Sequence, residues 1–535
     1  MPEHVSMLQP HMGQINGRPI LMVDGKPFIM LAGEVHNSSS SSLAYMEQVW
    51  EKAEALGMNC LLLPVTWELT EPEEGRFDFS LVRGLIEQAR RYGKKISFLW
   101  FGAWKNAQCY YAPEWVKTDL ARFHRAQVVK EKNFIYNAAF YDMPYSSLSY
   151  LCEETCRADA RAFGRLMAYI REIDSGEHTV VSIQVENETG LMGAAREHSD
   201  EADALFAAPV PQDFADYMHD HRTTAVGDVR DALEKGKSSG TWKEIFGRAA
   251  EEIFSAYHIA CYVNAVAEAG KREYDIPMTV NCWLNKPGEA PGTYPSGGPI
   301  AKMMEVWRYC APNIDIFAPD IYVPNFAEVC EEYARNDNPL YIPECATHGY
   351  AGARAVLCVG RYHAVCYSPF GFEDMGAPFN NQQMALFGAD MTDPALQTPQ
   401  DVKVYGKLNQ MLGSIIPLLA EKYGTKDLQA SSGEISDAAV FEMGDYRICA
   451  NFQKKAGVCL VLRVSEESFY LIVQNVSLSF RSANPAEPGI DILVLEEGEF
   501  VQGSWSPGRR LNGDEAVMNT YEGPAMLRVK LFAYQ

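Results

Sequence analysis

A chain of 535 residues exceeds one ordinary domain and points to two to four. Its 47% hydrophobic and 11% aromatic content describes a folded protein with a large core. A net charge of −23 excludes nucleic acid and anionic membrane as main partners, because both need a basic surface.

Residues Met1 to Pro10 lack a basic start followed by an apolar run, so no signal peptide is expected. No stretch of about 18 apolar residues occurs, so no transmembrane helix is expected either. The 13 cysteines are scattered, many in apolar runs such as those around Cys60, Cys282 and Cys358. Buried free thiols in a reducing compartment explain them, which places the protein in the cytoplasm. Cys152 and Cys156 stand four apart without a second ligand pair, so no metal site is expected there.

In chain order, Asn16 to Leu31 reads as an N-terminal hairpin turning at Asp24-Gly25-Lys26. Its second run ends in Ala32-Gly-Glu-Val-His-Asn37, and five serines follow. A helix starts at once, with Leu43, Met46, Val49, Trp50, Ala53 and Leu56 on one face. The serines therefore read as a strand-to-helix loop with a capping hydroxyl. The unit then repeats. Strands are expected at Asn59–Val65, Lys95–Phe101, Val180–Val185, Pro277–Asn281, Ile314–Pro319, Leu340–Ile342 and Ala364–Ser368, with helical stretches between them. A partly polar insertion spans about 191–240. Eight βα units predict an α/β fold, a (β/α)₈ TIM barrel, over residues 1–424. From about residue 425 short alternating runs and turn signals (Asn484-Pro485, Pro488-Gly489, Asn512-Gly513) predict a small antiparallel β-sandwich domain, 425–535.

In such a barrel the residues after each strand converge on one mouth. The set is Glu34, His36 and Asn37; Trp67, Glu68 and Glu71; Trp100, Trp104 and Asn106; Glu186, Asn187 and Glu188; Asn281 and Trp283; Asp320 and Tyr322; Glu344 and His348; Phe370, Phe372, Glu373 and Asp374. It lacks a Gly-rich phosphate loop, a serine nucleophile elbow and a histidine-rich metal cluster. No cofactor and no metal are expected. Carboxylates with indoles suit sugars, which stack an apolar face on Trp and present hydroxyls to amides and carboxylates. Cleaving a glycosidic bond needs two carboxyl groups. Glu188 and Glu344 make the best pair, each ending a short apolar strand on opposite sides of the barrel. Glu186 reads as structural support. Trp67, Trp104 and Trp283 read equally as sugar platforms or core.

These residues resemble the clan A glycoside hydrolases, in which an Asn-Glu pair follows the fourth strand and a Glu the seventh; Asn187-Glu188 and Glu344 match. Trp67-Glu-Leu-Thr-Glu-Pro-Glu-Glu-Gly-Arg-Phe-Asp-Phe-Ser80 is similar to a segment of the β-galactosidases of glycoside hydrolase families 35 and 42. The likeness covers about residues 17–420. Two stretches depart from family 35: Gly33-Glu-Val-His-Asn37 after the first strand and Phe101-Gly-Ala-Trp104 after the third. The resemblance implies a retaining exo-β-glycosidase, with β-galactosides the first choice. It acts on a small carbohydrate, and β-glucosides, β-fucosides or α-L-arabinopyranosides are the alternatives; a non-catalytic carbohydrate-binding barrel is a further one. Glu344 would be the nucleophile and Glu188 the acid/base, with carboxyls about 5–5.5 Å apart. Asn187 would hold the sugar 2-hydroxyl, and Tyr322 would donate to Glu344. Glu34, His36, Trp67, Trp104, Asn281, Trp283 and Phe372 would complete the substrate contacts. A homo-oligomer, dimer or trimer, is expected, with the 191–240 insertion as lid or contact.

Overall fold

The computed structural model describes residues 8–129, 135–136, 144–379, 397–483 and 489–534. Its centre is eight parallel strands: β1 (Met30–Glu34), β2 (Cys60–Thr66), β3 (Lys95–Phe101), β4 (Val180–Val185), β5 (Met278–Trp283), β6 (Ile316–Asp320), β7 (Tyr341–Ile342) and β8 (Cys366–Tyr367). They pair in the order β6-β5-β4-β3-β2-β1-β8-β7. The ring closes where Ile321 N–H donates to Glu344 O at 2.9 Å, just beyond β6 and β7. Runs such as Cys60-Leu-Leu-Leu-Pro-Val65 are buried along their whole length, as strands covered on both faces must be. Inside the barrel Ser182 Oγ meets Ser97 Oγ at 2.8 Å, and Tyr341 OH meets Ser97 Oγ at 3.3 Å, so these three hydroxyls satisfy one another.

A helix follows each strand: α1 (Leu43–Ala55), α2 (Ser80–Arg91), α3 (Glu153–Asp174), α4 (Ala250–Glu273), α5 (Met304–Cys310), α6 (Phe326–Tyr333), α7 (Ala351–Tyr362) and α8 (Val402–Ser414). Ser42 caps α1, its side chain accepting Tyr45 N–H, so the serine run does act as a loop with a capping hydroxyl. Beyond Ile415 a further helix runs Ile416–Lys422. The insertion folds into helices Asp200–Ala207, Gln212–Asp220 and Gly227–Lys235, and Trp242–Phe246 continues the layer. Phe214 packs among Trp242, Phe246, Tyr257 and Tyr309, which seats this layer on α4 and α5.

The N-terminal hairpin is a three-stranded meander, His11–Ile15, Arg18–Val23 and Lys26–Pro27. The Asp24-Gly25 turn falls as expected. A second turn at Asn16-Gly17, with φ of 50° and 78°, joins the first two strands. Phe28 to Leu31 leaves the meander and enters β1.

Beyond residue 425 the chain forms two antiparallel sheets. The first orders Leu428–Ser432, Val458–Arg463, Ser468–Gln474, Ala525–Tyr534, Gly489–Val501 and Ser504–Arg510; the second Ala438–Met443, Tyr446–Phe452, Val476–Ser482 and Thr520–Tyr521. An apolar core fills the space between them, including Phe441, Ile448, Val461, Leu471 and Leu527. The first sheet also rests on α7: a side chain at Gly360 would stand 2.6 Å from Ala430 Cβ, so only glycine allows that approach. Leu460 is fully buried at this junction, worth about 1.5–3 kcal/mol for such a side chain. The Asn484-Pro485 turn signal lies outside the described residues.

Candidate active site

The tip of β4 leaves the strand through a strained turn. Glu186 and Glu188 both have positive φ, 63° and 45°, a region that costs non-glycine residues about 1–3 kcal/mol each. Hydrogen bonds from every side fix the turn. Glu186 Oε2 accepts Trp104 N–H at 2.7 Å, Gln184 Nε2 donates to Glu186 O at 2.9 Å, and Asn187 N–H reaches Trp104 O at 3.3 Å. Asn281 Oδ1 accepts Glu188 N–H at 2.9 Å, and Glu188 O accepts Ala107 N–H at 3.0 Å. The strain is thus held by the ends of β3 and β5, and it aims Glu188 into the mouth.

Glu344, just beyond β7, arrives from the other side. One oxygen each of Glu188, Asp320 and Glu344 lie within 4.8 Å of one another. Tyr322 OH donates to Glu344 Oε2 at 2.9 Å, and Asn187 Nδ2 to Glu344 Oε1 at 3.4 Å. Lys105 Nζ stands 3.8 Å from that same Oε1. Lys105 is only 3% exposed and lies over the Phe101 ring, 4.9 Å from its centroid. Three carboxyls this close can gather a cation, and the ammonium of Lys105 already supplies one.

Crowding of acids in a buried site sets their protonation. Burial, then the charge of Glu344, push the Glu188 carboxyl up to about 8; Lys105 and a hydrogen bond with Asp320 work against the rise. Burial, then Glu344 and Glu188, hold Asp320 well above the usual carboxylate range. Burial and Glu344 do the same to Glu34. Burial alone would depress Lys105, but Glu344, Glu188, Glu34 and Asp320 overcome it and raise its pKa. Glu188, Asp320 and Glu34 are thus all pushed toward the protonated form, with the Lys105 ammonium beside Glu344.

The other sequence-derived candidates divide. Glu34 ends β1 inside the mouth, fully buried, and neither of its oxygens has a hydrogen-bond partner among the described residues. Asn281 sits at the centre but its amide is used: it accepts from Glu188 N–H and donates to Asp320 Oδ2 at 2.8 Å. It thereby orients both acids. Trp283 is partly exposed at the end of β5. His36 stands at the rim, its Nε2 2.9 Å from Asp374 Oδ2 and its ring edge-on to Phe370.

Three aromatic candidates do not line the mouth. Trp67 is fully buried, donates Nε1 to Glu71 Oε2 at 2.9 Å and packs edge-on against Trp115. Trp104 is buried edge-on to Tyr262 of α4, with ring centroids 4.8 Å apart. Phe372 is buried on the face of β1 opposite Glu34: a side chain on Gly33 would meet it at 2.5 Å. All three serve the layer between strands and helices. Glu71 serves the same layer, accepting Trp67 Nε1, Gly75 N–H and Arg161.

Sequence reasoning missed two residues. Lys105 follows β3 in Trp104-Lys-Asn106, where a lysine reads as solvated. Asp159 lies mid-helix in α3, yet Trp100 Nε1 and Tyr262 OH donate to it at 2.8 and 2.9 Å, and it pairs with Glu186 beneath the mouth. Cys152 and Cys156 donate to the Arg122 and Tyr262 carbonyls, at 3.2 and 4.0 Å.

With this geometry in hand, the chain's relatives can be set beside it. Residues 20–93 match the family model described as glycosyl hydrolases family 35. Residues 405–520 match one described as a domain of unknown function, DUF5597. A β-galactosidase of Xanthomonas manihotis is 44% identical over 57 residues, 11% of this chain and 9% of that protein, so the chain spans under a tenth of that relative. Among solved structures, a β-galactosidase from Bacillus circulans sp. alkalophilus aligns over 94% of this chain and 99% of its own, at 10% identity and a TM-score of 0.47. The β-galactosidase of Rahnella sp. R3 aligns over 74% of this chain and 57% of its own, at 14% identity and 0.47. The exo-β-1,4-mannosidase Op5Man5 of an Opitutaceae bacterium, strain TAV5, aligns over 74% and 61%, at 12% and 0.40. Likeness at these scores carries no functional argument. The resemblance to glycoside hydrolase family 35 holds over residues 20–93, the stretch from the meander through β1, α1 and β2 to the end of α2.

Proposed function

We propose that the chain is a retaining exo-β-glycosidase acting by double displacement, with terminal β-D-galactosides as its first substrates. The observation that carries this reading is the Glu188–Glu344 pair. Carboxyl oxygens within 4.8 Å suit a nucleophile that attacks directly, whereas an inverting pair stands about 6.5–9.5 Å apart to admit a water. Their environments differ as the two roles require. Glu188, pushed up to about 8, keeps a proton to give to the leaving oxygen. Glu344 accepts from Tyr322 and Asn187 and faces Lys105, all of which favour a carboxylate able to attack the anomeric carbon.

Two of the sugar contacts, Glu34 and Asn187, follow from oxygens left unpaired among the described residues. Protonated Glu34 offers a donor and an acceptor, and Asn187 Oδ1 has no partner among the described residues. We assign Asn187 to the 2-hydroxyl, Glu34 to a ring hydroxyl and partly exposed Trp283 to the sugar face. His36 is kept at the rim.

A panel of nitrophenyl glycosides tests the sugar, and NMR of the first-formed anomer tests retention. Galactoside among the poorest substrates would move the assignment to β-glucosides, β-fucosides or α-L-arabinopyranosides. No turnover of any would favour a non-catalytic carbohydrate-binding barrel. All 13 thiols are free, which supports a reducing, cytoplasmic setting. No described helix is long and apolar enough to cross a membrane. A dimer or trimer belongs to the same reading, and light scattering on the purified chain checks it.

A further inference from the structure

We infer that Lys105 is the fixed counter-ion that passes between the two carboxylates of the reaction, pairing with Glu344 before the sugar is attached and with Glu188 afterwards. The inference rests on the glycosidase reading above and adds a residue and a role to it.

The geometry comes first. Lys105 is buried, 3.8 Å from Glu344 Oε1, and its aliphatic stem emerges from a tight turn, Lys105 to Gln108. Lys105 N–H and Gln108 N–H each bond the other's carbonyl, at 2.7 and 3.0 Å. Asn106 and Ala107 in that turn have φ of 53° and 56°, a left-handed pair built without glycine. Ala107 N–H donates to Glu188 O, so the turn that carries the ammonium is bonded to the backbone of Glu188 itself. The backbone that carries the cation thus keeps its place relative to that of Glu188 while the charges change.

The charge balance follows. In the first half-reaction Glu344 attacks the anomeric carbon, the bond to the aglycone oxygen breaks, and that oxygen takes the proton of Glu188. Glu344 becomes a neutral ester and Glu188 a carboxylate. In the second, water adds to the anomeric carbon, its proton goes to Glu188, and Glu344 leaves as a carboxylate. One anion is present throughout, and it moves. A buried cation that lost its only counter-ion would carry a large desolvation cost. Lys105 avoids it by favouring ionised Glu188 for as long as Glu344 is esterified, which is when Glu188 must act as base. Around this centre the titratable groups are Glu34 from β1, Cys282 from β5, Asp320 and Tyr322 from β6, and Glu373 beyond β8. The carboxyls among them, Glu34, Asp320 and Glu373, are pushed toward the neutral form, first by their own burial, so Lys105 stands as the cation among them.

The test uses 2,4-dinitrophenyl β-D-galactoside, whose leaving group needs no proton, so kcat reports hydrolysis of the glycosyl-enzyme. Lys105→Met should lower kcat by about 10²-fold and kcat/KM by much less, with KM falling. The acid limb of kcat should move to higher pH by about one unit, because Glu188 without the cation holds its proton more tightly. Lys105→Arg should restore the limb. Lys105→Gln is a second neutral variant should the Met form fold poorly. Equal losses in kcat and kcat/KM with an unmoved limb would reduce Lys105 to a binding or packing residue and overturn the inference alone. Wild-type protein that turns over none of the nitrophenyl glycosides and is labelled on Glu344 by none of the matching 2-deoxy-2-fluoro glycosides would sink the glycosidase reading and this inference together.

Discussion

Glu186 and Glu188 are two residues apart, share the same left-handed turn, and are both buried with raised pKa values, burial being the first cause in each. They differ in what their oxygens meet. Glu186 faces Asp159, which already accepts two donors, Trp100 Nε1 and Tyr262 OH; burial, then the Asp159 charge, push Glu186 toward its protonated form, and its second oxygen accepts Trp104 N–H. A side chain on Gly102 would stand 2.5 Å from Glu186 Oε1 and 2.7 Å from Asp159 Oδ1, so the pair is sealed. Glu188 instead faces a second carboxyl that can leave it, and a cation that offsets either charge state. A buried acid set against fixed partners behind the strands is structure; a buried acid whose partner can change charge is chemistry.

Matched substitutions break that comparison most sharply. Glu344→Gln and Glu188→Gln should each cost at least about 10³-fold in kcat/KM on a substrate with a poor leaving group. Glu186→Gln, the same change two residues away, keeps an N–H for Asp159 and should stay within about tenfold of wild type. If Glu186→Gln proved as damaging as Glu188→Gln, the lower pair would belong to the reaction.

The next effect is on stability. Asp159→Asn sets an amide N–H against the Trp100 or Tyr262 donor, and leaving one buried donor unpaired should cost about 1–3 kcal/mol in denaturant unfolding. The pair also has a pH signature. Both carboxyls titrate above their ordinary values when folded. Their contribution is therefore complete below the unfolded carboxylate range, near pH 4, and is lost as pH rises toward the folded values. Unfolding midpoints should fall from pH 5 to pH 9, and Glu186→Gln should flatten part of that fall. A wild-type profile that stays level would mean the shared proton is absent.

A smaller effect is expected in the rate profile. With Glu188 as acid and a pKa of about 8, kcat/KM should decline above about pH 8. Neutralising Glu344 removes the second cause of the rise, so residual activity of Glu344→Gln on an activated substrate, or direct titration of Glu188 in that variant, should show the Glu188 value lowered. An unmoved value would mean that burial acts alone.

The barrel was legible because each strand is a short apolar run followed by a helix with one apolar face, and β2, β3 and β4 are buried along almost their whole length. The C-terminal strands were legible only where they bury a face. Ser504–Arg510 is mostly exposed and carries no alternation to read. At the mouth, Glu188 and Glu344 stand out because a carboxylate after an apolar strand needs a reason. The aromatics do not, because an indole over the mouth and an indole behind the strand, such as Trp104 against Tyr262, look alike in sequence. Lys105 and Asp159 depend on partners far along the chain, 239 and 27 residues away respectively (344 − 105; 186 − 159), and no local pattern marks them.

Fixed partners also tie in the second pair of sheets. Arg354 of α7 is buried over the Phe326 ring, 4.0 Å from its centroid, and forks onto both oxygens of Glu434, in the loop after the strand Leu428–Ser432. Its remaining nitrogen stands 3.3 Å from His348 Nε2, and His348 Nδ1 accepts Tyr350 N–H at 3.2 Å. His348 is four residues beyond Glu344, so the chain outside the barrel steadies the segment that carries Glu344. Glu434 is itself partly exposed, with 21% of its side-chain surface accessible, which screens the pair and limits the loss. Glu434→Gln keeps one oxygen for the fork and should lower kcat by less than about tenfold with KM nearly unchanged, since the proposed sugar contacts lie elsewhere. Because Glu344 would then sit less firmly against Glu188, the alkaline limb should also move down slightly. A KM rise with kcat preserved would instead place this contact near the bound substrate, and no change in either would confine Glu434 to holding the sheet against α7.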